Sequence, residues 1–550
     1  MSNTKSNTRF SLQIAFYTVF TLLNVIQAAN TQLIDDEAYY WVYSKFLDWG
    51  YYDHPPMIAI LIKMGFAIIQ SELGVRLFII AASTGTVYLL EKIVQPSNQK
   101  LFYAIILNIA AINFAGFIAV PDIPLFFFVA VYLFWYQKFL RESNLLNTIG
   151  WSIAMALMLY SKYHGVLVIF FTVLSNLKLL TKKHIYIAAI IGTICFIPHL
   201  VWQYNHGFPS VYFHLWDRNK EAYRFIFTSD YLFGQLALFG PLLGWLFLYS
   251  VFFYKPIAQF EKSVKYIAIG VLGFFLLSTL NGWIEANWTI PAIACAVIIV
   301  YAYFENKIKW HKIIYTASIL TFLLLLGIRI ALLGNWIKSE IPMLLETQGN
   351  KEWAKSIQNA AKGKPVVFTN SYQFPSKYWF YSGEPACVIN SPSYRQNNFN
   401  LWEINNQFLG KSYCYVTPGL NKNADTVLST PKGETYIQYL DSLAFNGDLL
   451  FYIDRTTSNS IKNIITVKGK RYGTNTISLS PEMFFLQIYK NTEEVNLIKC
   501  ASILTSTNLI QFNFYISTLP SGKYTGRICM NTSIDSVQSL NSNTVEIEIK

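Results

Sequence analysis

The feature that most constrains this chain is a succession of apolar stretches crowded into residues 1–334, most of them near the ~20 residues a bilayer core requires of a helix. They fall at about 10–31, 75–94, 101–119, 123–140, 149–162, 164–181, 185–204, 231–253, 266–282, 288–304 and 312–334. Composition says where such stretches are buried. Of 550 residues 53% are apolar and 13% charged, about half the roughly 25% charge of soluble domains. Too few charges remain to wet several soluble domains, so lipid is the main solvent. A shorter run, Met57 to Ile69, contains Lys63 and suits an amphipathic helix lying in the membrane interface.

The net charge of +12 is read by location. Lys5 and Arg9 precede the first stretch. Lys92/Lys100, Lys138/Arg141, Lys178/Lys182/Lys183, Lys255/Lys262/Lys265 and Lys307/Lys309/Lys312 then fill every second loop. The positive-inside rule puts the N-terminus in the cytoplasm and the acid-bearing loops outside. Eleven spans carry the C-terminal segment outside as well. Ala28-Ala29 resembles a signal-peptide cleavage site, but the first stretch is read as a retained helix because it holds the acidic loop that follows. With no glycine-rich phosphate loop and no basic arm, a nucleic-acid partner is excluded.

From residue 335 the chain turns polar and its apolar runs shorten to strand length: 365–368, 449–453, 484–489 and 545–549, the last alternating with period two. The expectation is a small α/β domain over 335–480 and a small all-β module over 481–550. Cys387, Cys414, Cys500 and Cys529 lie in this exported part, where disulfides are permitted. The simplest pairing joins 387 to 414 and 500 to 529, against the alternative of free buried thiols.

The densest polar constellation, Asp35-Asp36-Glu37 before Ala38-Tyr39-Tyr40-Trp41, follows the first span. Three carboxylates at an interface are costly unless solvated, paired or bound to metal. They read either as a charged helix start complementing the dipole or as a catalytic carboxylate in a cleft. Gly50-Tyr51-Tyr52-Asp53-His54-Pro55-Pro56 reads as a rigid helix start, or as a metal or phosphate contact. Asp122, Ser161-Lys162-Tyr163-His164, the loop of His214, Asp217 and Arg218, and Glu285-Ala286-Asn287-Trp288 mark the other outer turns. Taken singly each suits snorkelling or capping. Together they gather acids, bases and aromatics on one side of the membrane. The aromatics Tyr39, Tyr40, Trp41, Tyr51 and Tyr52 suit interface anchoring or stacking on sugar faces.

These motifs, in this order over about residues 10–300, resemble the family-39-type glycosyltransferases. That group includes the dolichyl-phosphate-mannose–protein mannosyltransferases and the bacterial lipid A aminoarabinose transferase. The resemblance implies a polytopic α-helical membrane protein of the C-type glycosyltransferase fold, with about 11 transmembrane helices plus interfacial helices, followed by the extracytoplasmic α/β and β domain. It implies a multi-pass protein of a bacterial inner membrane. Its donor would be a polyprenyl-phosphate sugar, and its acceptor a protein, lipid A or a surface glycan. Asp36 would be the catalytic base, with Glu37 in the same motif. His54, Lys162, Tyr163 and Arg218 would face the donor phosphate, and Asp53, Asp122, Glu285, Asn287 and Trp288 the substrates. Asp53 and His214 are the metal candidates, should a divalent cation take part. Asp35 departs from the family pattern, where a neutral residue is usual.

The chemistry suits these residue types. Transfer from a lipid phosphate needs a base for the acceptor hydroxyl and positive charge beside the departing phosphate. The rival class, a transporter or lipid-carrier flippase, would favour ionisable groups at mid-membrane and two related halves. Neither is evident here. The topology is testable. A reporter active only outside the cytoplasm should be active when fused after residue 335 and silent near Lys182; the reverse pattern would put Asp36 in the wrong compartment.

Overall fold

The structure, a computed structural model, describes residues 2–549 apart from 218–221, 335–341, 445–449, 460–463, 473–478, 491–492, 507–508, 516–518 and 535–536. The chain divides into two units. One holds residues 1–204 and 214–348; the other holds 205–213 and 349–550.

The first unit is helical. It runs α1 (Ser2–Asn30), α2 (Asp35–Lys45), α3 (Met57–Ile68), α4 (Glu72–Val94), α5 (Gln99–Asn108), α6 (Ala110–Asn113), α7 (Asp122–Arg141), α8 (Leu145–Ser161), α9 (Gly165–Ser175) and α10 (Lys183–Asn205). After α11 (Pro209–Tyr212), which belongs to the second unit, come α12 (Phe225–Phe239), α13 (Gly244–Phe253), α14 (Gln259–Ser278), α15 (Ile290–Phe304), α16 (Ile308–Ala331) and α17 (Pro342–Thr347). Among the described residues seven helices are long and apolar enough to cross a membrane, or nine if each of two bent pairs counts as one span. The remaining two expected spans are the shorter α8 and α9. All eleven apolar stretches are therefore helical, and the chain is a polytopic helical membrane protein. Helix α3 buries Ile58 and Ile62 and exposes Lys63, but Met64 and Ile68 are exposed beside it, so its outer side is largely apolar.

The two bends have local causes. Between α5 and α6 the axis turns by 82°. Asn113 reinforces the carbonyls at the bend, its Nδ2 donating to Ile106 O (2.7 Å) and Ile109 O (3.2 Å), which also accept backbone N–H groups. The 95° turn between α12 and α13 passes through Gly240 at φ +142°. A Cβ there would come within 2.7 Å of the Asn108 carbonyl oxygen, so only glycine fits.

The second unit contains two sheets. After α18 (Asn350–Ala361) come β1 (Val366–Thr369), α19 (Gln373–Ser382), β2 (Ala386–Ile389), β3 (Tyr413–Thr417), β4 (Thr426–Thr430) and β5 (Gly433–Leu440). The sheet order is β2-β1-β3-β5-β4, the first three parallel and the last two antiparallel. Trp353 and Ile357 of α18 and Tyr378 of α19 bury its face through Val366 and Phe368. The second sheet comprises β6 (Leu450–Asn459), β7 (Ile464–Tyr472), β8 (Phe484–Lys490), β9 (Glu493–Ser506), β10 (Leu509–Tyr515), β11 (Gly522–Asn531), β12 (Gln538–Leu540) and β13 (Val545–Ile549). Its order is β12-β11-β8-β9-β10-β7-β6, with β13 on β11. The four strand-length runs are strands. The boundary expected near residue 480 is not where the sheets change, because β6 and β7 pair into the second sheet; the change falls between β5 and β6. Composition does not vary there, which is why it left no mark.

The expected disulfides are absent, and all six cysteines are free. Topology explains this. Cys387 lies opposite Val367 on β1, and Cys414 opposite Val366, so β1 separates the two thiols. Likewise β8 lies between Cys529 and Cys500. Strands two places apart stand roughly 9.5 Å from each other, beyond the ~7 Å Cα separation a bridge tolerates. Burial instead pushes the Cys414 thiol up to about 12. Alkylation of the denatured chain without reductant should therefore label all six thiols, and a reductant should leave the melting temperature unchanged.

Candidate active site

Helix α2 carries the acidic triplet on its first turn and a buried aromatic face behind it. Glu37 is fully buried and paired with Arg76 of α4. Arg76 Nε donates to Glu37 Oε1 at 2.7 Å, and Nη2 to Oε2. The same guanidinium donates to the carbonyls of Ala28 (3.0 Å), Thr31 (2.6 Å) and Gln32 (3.2 Å) at the end of α1. Glu37 also accepts from the backbone N–H of Ala119 at 2.7 Å and of Ile34 at 3.1 Å. One ion pair thus ties α1, α2, α4 and the turn before α7. Asp35 and Asp36 stay half-buried.

The aromatic residues of both motifs pack inward. Tyr39, Tyr40, Trp41, Tyr51 and Tyr52 are all buried. Interface anchoring, the reading their type suggested, does not describe them, because they cement α2 to the loop that follows it. Tyr43 stacks on Tyr51 with ring centroids 4.1 Å apart. Its hydroxyl donates to the buried Asp53 carboxylate. Burial and then the Asp53 charge push the Tyr43 phenol well above its ordinary value, so it remains a donor. Tyr51 donates to the carbonyls of Tyr43 (3.1 Å) and Phe46 (3.0 Å). The His54 carbonyl accepts from Tyr51 N at 3.0 Å and closes the turn. The His54 ring meets Tyr40 edge-on at 5.6 Å.

A second network joins this loop to α10. His199 Nδ1 donates to the Trp49 carbonyl at 2.7 Å, which fixes the proton on that nitrogen. His199 Nε2 then accepts from the Tyr163 hydroxyl at 3.0 Å, and Gln203 Nε2 donates to the same hydroxyl at 3.0 Å. Trp202 Nε1 donates to Asp48 at 2.7 Å, and its ring closes over Gly50, where any Cβ would collide with it. Lys162 pairs with Asp122 at 2.8 and 3.0 Å, both buried, so each neutralises the other. Trp288, at the start of α15, packs on the His164 ring at 5.3 Å. Glu285 is exposed and Asn287 half-buried. Arg218 lies outside the described residues.

Asp53 and His214 come together, but through His214 Nε2 donating to the Asp53 backbone carbonyl at 3.0 Å. Among the described residues no three His, Cys, Asp or Glu side chains converge as metal ligands. The groups that organise the site, Arg76, Tyr43, His199 and Gln203, were not singled out from sequence. Arg76 left a signal, since a basic residue near the start of an apolar span needs a buried partner. His199 and Gln203, one helical turn apart on α10, left only that spacing.

The ion pair predicts a stability effect. Glu37→Gln and Arg76→Gln each strand a buried partner, at a cost of about 3–5 kcal/mol. Thermal aggregation of the detergent-solubilised variants should begin well below that of the parent protein. Unchanged melting in both would remove the pair from its central place.

With the geometry established, comparison with known proteins is informative. Residues 53–202 match the dolichyl-phosphate-mannose-protein mannosyltransferase family. Lipid A galacturonosyltransferase RgtD from Rhizobium johnstonii is 23% identical over 312 residues, covering 53% of this chain and 65% of its own length. The crystal structure of ArnT from Cupriavidus metallidurans in the apo state superposes with a TM-score of 0.59 at 12% identity, over 78% of this chain and 98% of that one. The same protein bound to undecaprenyl phosphate gives 0.56 at 11%, with the same coverage. Residues 53–202 are therefore similar to the dolichyl-phosphate-mannose-protein mannosyltransferase family, and the chain shares the fold of ArnT.

Proposed function

We propose that this protein transfers a sugar from a polyprenyl-phosphate donor to a hydroxyl acceptor outside the cytoplasm, lipid A or a similar envelope molecule, with Asp36 as base. The observation that carries the reading is the division of labour in the acidic triplet. Glu37 is buried and committed to Arg76 and two backbone N–H groups, whereas Asp36 beside it is only half-buried. Glu37 is then a positioning residue, and the base is its neighbour. The RgtD and ArnT likenesses support the donor and acceptor classes.

In the proposed reaction Asp36 takes the proton of the acceptor hydroxyl as its oxygen attacks the anomeric carbon. The bond from that carbon to the phosphate oxygen breaks, and polyprenyl phosphate leaves. A single displacement inverts the anomeric centre. The leaving phosphate is already ionised, so no general acid is required. The Lys162 charge is offset by Asp122, which leaves Arg218 as the candidate that would offer the phosphate a positive charge. His54, Tyr163 and the Asp53 loop would shape the donor side, and Glu285, Asn287 and Trp288 the acceptor side.

Asp36→Asn should lower transfer at least 10²-fold, the scale of general-base removal, while expression and membrane insertion persist. Asp35→Asn should keep most activity. The assay is movement of radiolabel from a polyprenyl-phosphate sugar to an acceptor in membranes. A dead Asp35→Asn with an active Asp36→Asn would shift the base by one residue, and activity in both would sink the mechanism.

A further inference from the structure

Away from the acidic loop, α1, α5 and α16 enclose a groove of about 620 Å³ lined by apolar side chains such as Leu12, Phe16, Val19, Leu107, Phe322 and Leu326. Val19 and Ile319 on its rims are more than half exposed, so the groove opens on the lipid-facing surface of the helical unit. One end is polar. Arg329 of α16 lines it, with only 6% of its surface exposed. Its guanidinium donates to Asn24 Oδ1 at 2.7 Å, to the Asn113 carbonyl and to the Leu23 carbonyl at 3.4 Å. All three are neutral acceptors. Among the described residues the ion pairs are Arg76–Glu37 and Lys162–Asp122, and no carboxylate answers Arg329. Beside it the buried Asn24 Nδ2 has no acceptor.

A desolvated cation and an unsatisfied N–H donor at the end of an apolar groove share one complement. It is an anion with a hydrocarbon tail. Along α1 the groove runs from Leu12 to Asn24, about 18 Å at 1.5 Å per residue. That is close to half of the ~30 Å hydrocarbon core. The length fits one acyl chain and is short for a polyprenyl chain. We infer that the groove between α1, α5 and α16 is a binding site for an anionic phospholipid, its phosphate against Arg329 and Asn24 and one acyl chain along the apolar lining. The site is independent of the sugar-transfer reading. The Phe117 ring is a shared neighbour of this site and the Glu37 clamp: the guanidiniums of Arg329 and Arg76 sit 5.1 and 5.5 Å from its centroid.

The test is native mass spectrometry of the full chain in mild detergent, titrated with dioleoylphosphatidylglycerol or dioleoylphosphatidylcholine. The parent protein should retain phosphatidylglycerol about tenfold better, because the choline ammonium of phosphatidylcholine cancels the net charge that the buried guanidinium answers, a difference about the size of one charge-assisted hydrogen bond. Arg329→Gln should abolish that preference. Ala15→Trp, placed on an exposed lining position away from the Arg329 hydrogen bonds, should weaken retention of both lipids and covers the case in which Arg329→Gln misfolds. Lys100→Ala, at the opposite end, should change nothing. Equal retention of the two lipids by the parent overturns the inference, as does loss of preference in Lys100→Ala but not Arg329→Gln. Displacement of phosphatidylglycerol by an equimolar polyprenyl phosphate would assign the groove to a carrier chain and overturn it too.

Discussion

The rest of the helical unit depends on the Arg76–Glu37 ion pair. Two opposite charges out of water gain little unless every remaining donor and acceptor is also met. Here they are. The guanidinium spends its other hydrogens on three carbonyls at the end of α1, and the carboxylate takes two backbone N–H groups from separate turns. The pair therefore measures the positions of four chain segments at once. It also fixes the first turn of α2, from which Asp36 projects. The base proposed for Asp36 would gain from such a rigid mount over a free loop.

Behind that mount the arrangement continues by packing. Tyr43 and Tyr51 lock α2 to the loop of Asp53 and His54, and His199 reaches the same loop from α10 through the Trp49 carbonyl. The motifs that sequence places far apart are thus braced against one another through the backbone of residues 48–54. Most of these bracing contacts use the chain's carbonyls and rings, which carry no signature of their own in a sequence.

That difference explains what could be read beforehand. Apolar length made all eleven helical stretches legible, because lipid imposes one physical rule on every span. The triplet at 35–37 stood out through its charge density. Which of its members is clamped was not, since Arg76 lies 39 positions on from Glu37. The aromatics were misread as interface anchors because side-chain type does not distinguish a wet face from a packed one. The cysteine pairing failed for a related reason: strand order, with β1 between Cys387 and Cys414, is a long-range property. The four short strands were found by the length of their apolar runs, the last also by its period, but sheet membership, which moved β6 and β7 to the second sheet, was not.

The closure of that second sheet bears on how the chain is made. Strand β13 pairs along β11, and Asn543 exchanges hydrogen bonds with the backbone of Ile453 on β6, 90 positions earlier. Asn541 O likewise accepts from Phe451 N. Strand β6 is therefore synthesised long before the residues that cover it. Through that interval its buried ring and aliphatic side chains, Phe451 and Ile453, have no complete core to enter. Contacts of such sequence separation form slowly, and an uncovered strand invites pairing with other chains. The β module is thus the part of this protein that stays longest without its complete core while the chain is made.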